Sequence, residues 1–111
     1  MYPELQMINQ PDPKVPIKIF VKSLGAINEV LDKSGYFVED ETTVLELIHI
    51  INSGTGGNEF LKALLDITER ELLPCIHIFI NNENINTMHG LNTKLKNKDD
   101  LFILRSDMAG G

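Results

Sequence analysis

The sequence predicts an α+β protein in which a mixed β-sheet is packed on one face by a helix. Three observations lead to this prediction. Residues 17–21 alternate aliphatic with other side chains, residues 43–51 carry a helix signal, and residues 76–80 and 101–105 alternate again. Strands on both sides of a helical segment are typical of a sheet layer covered by helix.

A period of two defines the strands. In the first strand, from Pro16 to Lys22, the aliphatic residues share one face and Phe20 points to the other, between two lysines. Residues 35–38 form a second, short strand, and Asn81 to Asn84 form a tight turn that leads into a return strand at Ile85. The first and last strands are the most aliphatic, so we expect them to pair at the centre of the sheet. The core-facing strand residues are Ile17, Ile19, Val21, Ile76, Ile78, Leu101 and Ile103.

The strongest helix signal follows an acidic run. Thr43 and Glu46 match a capping box, in which hydroxyl and carboxylate each satisfy a free backbone amide, and Gly54 is placed to end the helix. Its buried face consists of Val44, Leu47, Ile48 and Ile51. A shorter helical turn is predicted over Leu24–Asp32. Asn58 caps a second helical stretch that ends by Pro74 and buries Phe60, Leu61, Leu64, Leu65 and Ile67.

Composition bounds the function. The chain has 111 residues, 10 Lys plus Arg against 16 Asp plus Glu, and a net charge of -6. This balance argues against nucleic acid and an anionic membrane as partners and allows a basic protein partner. A single cysteine, Cys75, excludes an intrachain disulfide and favours a cytoplasmic location. No apolar run approaches the ~20 residues of a membrane span, and the N-terminus lacks a signal-peptide pattern.

The domain prediction has three parts. Residues 1–15 are a flexible N-terminal extension, because prolines interrupt regular pairing there. Residues 16–105 form the folded domain. Residues 106–111 form a mobile C-terminal tail that ends in two glycines.

No enzyme signature is present in the sequence. His49, His77 and His89 each lack a second ligand at metal-binding spacing, and the glycine-rich segment 54–57 lacks the Gly-Lys-Ser/Thr ending of a phosphate loop. We therefore predict no catalytic residue, no metal and no bound cofactor.

The C-terminus carries the strongest functional indication. Two terminal glycines occur by chance in roughly 0.5% of chains, and here they end a polar tail that follows a well-marked strand. The six residues from Ser106 can extend about 20 Å. Glycine has no side chain, so the tail can pass a narrow channel and present the Gly111 carboxylate to another protein's active site. The alternative is an ordinary frayed terminus.

A second candidate site lies on the strands. By alternation, several apolar side chains share the sheet face away from the helix, and aromatic residues gathered on one face favour a partner-binding surface. The alternative is that the N-terminal extension covers them. The predicted partner surface consists of Phe20, His77, Phe79, Phe102 and Leu104.

These segments together resemble a known family. The chain is similar to the MoaD/ThiS-type sulfur carriers and ubiquitin-like small modifiers of the β-grasp fold. The segments that carry this similarity are IKIFVKSL, TTVLELIHII, IHIFINNENI, GLNTKLKNKDD, and LFIL followed by MAGG. The resemblance is strongest to the molybdopterin synthase small subunit and the archaeal small modifier proteins. Three features depart from the family pattern: Asn82 and Lys98 stand at turn positions that usually hold glycine, and the polar residues 105–107 replace frequent prolines.

The resemblance implies a mechanism. A ubiquitin-activating-type enzyme uses ATP to adenylate Gly111, and a persulfide sulfur then gives a Gly111 thiocarboxylate. Gly110, Ala109 and Met108 would thread the tail into the enzyme. The sulfur would pass to a precursor bound by the larger molybdopterin synthase subunit. Two alternatives stay open: a protein modifier joined through Gly111 to lysines of target proteins, and a β-grasp interaction module without covalent chemistry.

Overall fold

The computed structural model describes residues 16–24 and 35–106. The predicted extension 1–15, the predicted helical turn over Leu24–Asp32 beyond residue 24, and the tail from residue 107 lie outside the described residues. The elements are β1 (Ile17–Leu24), β2 (Gly35–Val38), α1 (Val44–Ser53), α2 (Glu59–Leu64), β3 (Ile76–Ile80), β4 (Glu83–Asn84) and β5 (Asp100–Arg105). Two 3₁₀ turns, Ile85–Thr87 and Gly90–Asn92, lie between β4 and β5.

The strands form one mixed sheet in the order β2-β1-β5-β3-β4. β1 and β5 run parallel at its centre, with Val21 opposite Leu101, and the other pairs are antiparallel. The predicted central pairing of the first and last strands is therefore confirmed. β5 lies between β1 and β3, so every side chain that alternates outward on these strands lies on one continuous sheet face.

The core lies between the sheet and α1. All eleven residues predicted to be buried there are buried, and Ile19, Val44, Ile78 and Ile103 have no measurable exposure. The second helix contributes Phe60, Leu61, Leu64 and Leu65 to the core, as predicted. β2, the end of β3 and the segment after β4 also contribute, with Tyr36, Val38, Ile80, Ile85 and Leu95.

The capping box at the start of α1 is confirmed. The Thr43 hydroxyl accepts from the Glu46 N–H at 3.1 Å, and the Glu46 carboxylate accepts from the Thr43 N–H at 2.9 Å. Each contact satisfies an amide that has no partner within the helix. Gly54 is the C-cap, with an ordinary negative φ of -84°. The sequence therefore placed both ends of this helix correctly.

The second helix begins as predicted, but a different residue supports its start. Asn58 stands at the N-cap without a side-chain capping bond. Its side-chain oxygen instead accepts from the Asn52 side-chain amide at 3.1 Å, and the Asn52 side-chain oxygen accepts from the Leu61 N–H at 3.2 Å. The buried Asn52 thus connects the end of α1 to α2. A long-range contact of this kind overrides the local capping preference.

The predicted burial of Ile67 is wrong, because its side chain is 98% exposed. α2 ends at Leu64, and Leu65 then bridges to Leu72 across a turn. Asp66 organises this turn: its carboxylate accepts from the Thr68 hydroxyl at 2.7 Å, which lowers the pKa of Asp66. The helix therefore ends three residues before Ile67, and the turn directs that side chain outward.

The turn after β3 is confirmed, with one difference. Asn81 and Asn82 have φ values of 52° and 72°, the left-handed conformation that asparagine tolerates. The return strand is β4, directly after this pair, and Ile85 lies in a 3₁₀ turn instead of opening the strand. Ile85 is buried at 1% exposure, so packing against the core takes precedence over strand pairing.

Among the described helices, none is both long enough and apolar enough to cross a membrane.

Candidate functional site: the outer face of the sheet

The outer face is the side of the sheet opposite α1. On β1, β3 and β5 the residues that alternate with the core residues lie on this face, and the structure places all five predicted surface residues there. They are Phe20, His77, Phe79, Phe102 and Leu104. Phe20 is 36% exposed, and the other four are half-buried. Their binding role stays a prediction.

Four of these residues form two cross-strand pairs on β3 and β5. Phe79 lies opposite Phe102, and His77 lies opposite Leu104. The rings of Phe79 and Phe102 are tilted by 38°, with centroids 6.3 Å apart. Side chains directly opposite each other on antiparallel strands support each other's packing, so the pairs form a small preformed apolar patch.

Phe20 belongs to a second group on β1 and β2. The ammonium nitrogen of Lys18 lies 5.0 Å from the centroid of the Phe20 ring and 5.7 Å from that of Phe37. Such distances allow cation–π attraction to both rings. Lys22, opposite Phe102, stands between this group and the β3–β5 pairs. The outer face therefore combines aromatic side chains with two lysines and one carboxylate, that of Asp100 opposite Phe20, on a chain whose net charge is -6.

The sequence interpretation missed Phe37, which is 70% exposed on β2. Tyr36 and Val38, on either side of Phe37, are buried, so β2 alternates like the longer strands. The strand has only four residues, and a period of two over so short a segment does not by itself decide which alternate set faces the core.

The loop before β5 is hydrogen-bonded to the turn between β3 and β4. The Asn81 amide donates to the buried Asp99 carboxylate at 2.9 Å, and the Asn81 side-chain oxygen accepts from the Asp100 N–H at 3.0 Å. Asp99 in turn accepts from the Lys96 N–H at 2.8 Å. These bonds connect the β3–β4 turn to the start of β5 and fix the register that sets Phe102 opposite Phe79.

The end of β5 is held next to the start of β3. The Ser106 N–H donates to the Cys75 carbonyl at 2.7 Å, which anchors the last described residue to the start of β3. Leu104 lies two residues before this anchor, and opposite it lies His77. Met108, Ala109, Gly110 and Gly111 lie outside the described residues. A partner that covers the pair of His77 and Leu104 would therefore also contact the beginning of the tail.

Within residues 16–24 and 35–106, the His, Cys, Asp and Glu side chains form no group of three that could hold a metal ion.

Comparison with known proteins gives the class of fold. No family model and no curated relative matches the sequence. Among solved structures, small archaeal modifier protein 1 of Methanosarcina acetivorans has a TM-score of 0.64 at 23% identity, covering 87% of this chain and 99% of its own. The Amycolatopsis orientalis BexX/CysO complex matches with a TM-score of 0.60 at 26% identity, covering 79% and 94%.

A third similar structure is a molybdopterin converting factor subunit 1, described as putative, from Pyrococcus furiosus. Its TM-score is 0.56 at 17% identity, covering 80% of this chain and 97% of its own. The mixed five-stranded sheet with a helix packed on it is the ubiquitin-like β-grasp fold. The structural neighbours of the chain are β-grasp sulfur-carrier and small modifier proteins.

Proposed function

We propose that the chain is a ubiquitin-like sulfur carrier whose C-terminal Gly111 is activated as an adenylate and converted to a thiocarboxylate. The observation that carries the proposal is the combination of the β-grasp fold with a Gly110–Gly111 ending placed six residues after β5. The likeness to a molybdopterin converting factor subunit supports a place in molybdenum cofactor biosynthesis. The single cysteine favours the cytoplasm as its location. The chain acts there as a co-substrate, and ATP is used by the activating enzyme.

The chemistry takes place at the tail. A Gly111 carboxylate oxygen attacks the α-phosphate of ATP, and pyrophosphate leaves. The acyl-adenylate that forms has a good leaving group, so a persulfide sulfur displaces AMP. A thiol then cleaves the remaining S–S bond and leaves the Gly111 thiocarboxylate. Gly110, Ala109 and Met108 thread the tail into the channel of the activating enzyme, where glycine allows close backbone approach.

The outer face supplies recognition. Its aromatic pair consists of Phe102 on β5, the strand that precedes the tail, and Phe79 on the neighbouring strand β3. A partner that docks on this pair is placed beside the root of the tail at Ser106. The adenylating enzyme and the larger molybdopterin synthase subunit would use the face in turn. A few well-packed side chains that become fully buried near the centre of an interface commonly dominate its binding energy, and the paired rings are suited to that position.

A second candidate function is a protein modifier joined through Gly111 to lysine amines of target proteins. The likeness to small archaeal modifier protein 1 favours this function. The polar residues Arg105 and Ser106, where the molybdopterin subunit often has prolines, also favour it. Both functions share the adenylation step and differ in whether sulfur or an amine takes the acyl group.

Intact-mass spectrometry tests the proposal. The full chain is incubated with a ubiquitin-activating-type enzyme of its own organism, ATP and a sulfur donor. We expect a gain of about 16 Da, since sulfur replaces oxygen at the reacted carboxylate. A chain lacking Gly111 is the matched control and should gain nothing. Adducts with target proteins in place of the 16 Da gain would favour the modifier function. If neither product forms, the remaining function is a β-grasp interaction module without covalent chemistry.

A further inference from the structure

The two edges of the sheet differ. β2 forms one edge and reads Gly35, Tyr36, Phe37 and Val38, with no charged residue and no proline. Charged residues and prolines are common features that keep a sheet edge from pairing with another chain. The other edge, β4, is two residues long and polar, Glu83 and Asn84. Among the described strands, β2 therefore presents the edge suited to pairing.

The hydrogen bonds of β1 show which way its backbone groups point. Lys18 donates its N–H to Asn97 at 2.9 Å and accepts from Lys98 at 2.7 Å, both in the loop that precedes β5. The Phe20 N–H donates to Asp99 in the same loop at 3.0 Å. Successive residues of a strand direct their N–H and C=O groups to opposite sides. The backbone groups of residue 19 therefore point toward β2.

This alternation fixes the direction of the β2 backbone. Ile19 lies opposite Tyr36, so Tyr36 is the residue whose N–H and C=O meet β1. Phe37, the next residue, directs its N–H and C=O away from β1 and toward the sheet edge. The Phe37 side chain is 70% exposed beside them. One donor, one acceptor and one aromatic ring are thus presented together at this edge.

A groove of about 630 Å³ runs beside the edge, between β2 and the exposed flank of α1. Phe37 borders it at the sheet edge, and Ile50, which is 43% exposed, gives it an apolar wall on α1. Glu39 and Glu46 line the same groove. Both carboxylates lie on the exposed surface, so the groove offers apolar contact together with negative charge.

We propose that the β2 edge and this groove bind an extended peptide segment of a partner protein. The segment pairs with the Phe37 backbone as an added strand, and its alternate side chains are apolar and lie against Ile50. A basic side chain of the segment lies near Glu39 and Glu46, because the groove carries their two negative charges. This site goes beyond the proposed function, since it requires neither Gly111 nor its activation.

The probe is the acetylated and amidated peptide KVTVTVK, which has alternating apolar side chains and a basic residue at each end. It is titrated into the ¹⁵N-labelled full chain while the backbone amide signals are followed. We expect saturable shifts that are largest at Gly35, Phe37 and Ile50 and small at Glu83. The peptide KVTPTVK has the same charge, but its central proline interrupts strand pairing, and it should bind about tenfold more weakly.

Matched variants separate the contributions. Glu39→Lys should weaken binding of KVTVTVK by about threefold or more, whereas Glu83→Lys, the same charge change at the other edge, should change it much less. Phe37→Ala removes the ring and keeps the edge N–H, and Phe37→Pro removes both, so Phe37→Pro should be the weaker binder. If Phe37→Pro fails to fold, Ile50→Lys, which places a positive charge in the groove, should still abolish binding.

Several results would overturn the proposal. The proposal is wrong if KVTVTVK shows no saturable binding, or if KVTPTVK binds as tightly as KVTVTVK. It is also wrong if the shifts centre on β4, or if Glu39→Lys and Glu83→Lys change the affinity equally. A chain lacking residues 1–15 provides one more test. If its affinity for KVTVTVK rises more than tenfold, the chain's own N-terminus occupies the groove and the partner assignment is wrong. Deleting Gly111 should leave the affinity unchanged, so this site and the proposed function fail independently.

Discussion

Ile48 and Ile50 lie two positions apart on α1 and have different surroundings. Ile48 is 1% exposed and packs between helix and sheet, whereas Ile50 is 43% exposed on the outer flank. Ile48→Ala should lower the free energy of unfolding by about 2–5 kcal/mol, because it leaves a cavity in the core. Ile50→Ala makes the same chemical change and should cost less than about 1 kcal/mol. Urea unfolding of both variants measures the difference, and equal values would contradict the assigned facing of the helix.

Substitutions on the outer face should weaken partner binding while the protein stays folded. Replacing both Phe79 and Phe102 by serine should weaken association with the adenylating enzyme by tenfold or more, since it removes the paired rings. Ile67→Ser is the matched control, because Ile67 is an exposed apolar side chain on the turn after α2. Titration calorimetry compares the variants after circular dichroism has verified folding. Wild-type affinity in the folded double variant would remove the outer face as the binding surface.

At the scale of single elements, the turn before β5 contains a residue in an unfavourable conformation. Lys98 has a φ of 70° and donates its N–H to the Lys18 carbonyl at 2.7 Å. The left-handed conformation costs a non-glycine residue about 1–2 kcal/mol, and glycine loses about 0.5–1 kcal/mol more chain entropy on folding. Lys98→Gly should therefore stabilise the protein by up to about 1.5 kcal/mol.

Lys96→Gly is the control for this turn. Lys96 is not among the residues with positive φ, so glycine adds flexibility there without relieving strain and should destabilise the protein by about 0.5–1 kcal/mol. Thermal unfolding of both variants gives the comparison. A decrease in stability in Lys98→Gly as large as that in Lys96→Gly would show that the positive φ carries no cost.

Features set by a local sequence pattern could be predicted, whereas features set by contacts between segments could not. Alternation predicted the facing of β1, β3 and β5, and a local capping box predicted α1, because those signals lie within the segments themselves. The exposure of Ile67 depends on the Asp66 turn and on the bridge between Leu65 and Leu72. The start of α2 depends on Asn52, nine residues before the amide that it binds. Contacts formed only after folding are not encoded in a local period.

At the scale of the whole molecule, the partner surface could be predicted only in part. The five predicted residues lie on one face, yet Phe37 and the cation–π contacts of Lys18 emerged only from the strand order. The net charge of -6 allowed a basic protein as a partner. Charge is unevenly distributed, however: Lys18 and Lys22 lie on the outer face, and Glu39 and Glu46 line the groove beside β2. The two surfaces therefore suit partners of opposite charge.

We propose that the protein acts through its C-terminal Gly111 carboxylate. ATP–pyrophosphate exchange with a ubiquitin-activating-type enzyme of the same organism measures the first step alone. We expect exchange with the full chain and none when Gly111 is deleted or one residue is added after it, with unchanged thermal unfolding in every case. A bulky residue in place of Gly110 should slow the exchange. Exchange at the full rate in the chain lacking Gly111 would contradict both the carrier and the modifier functions.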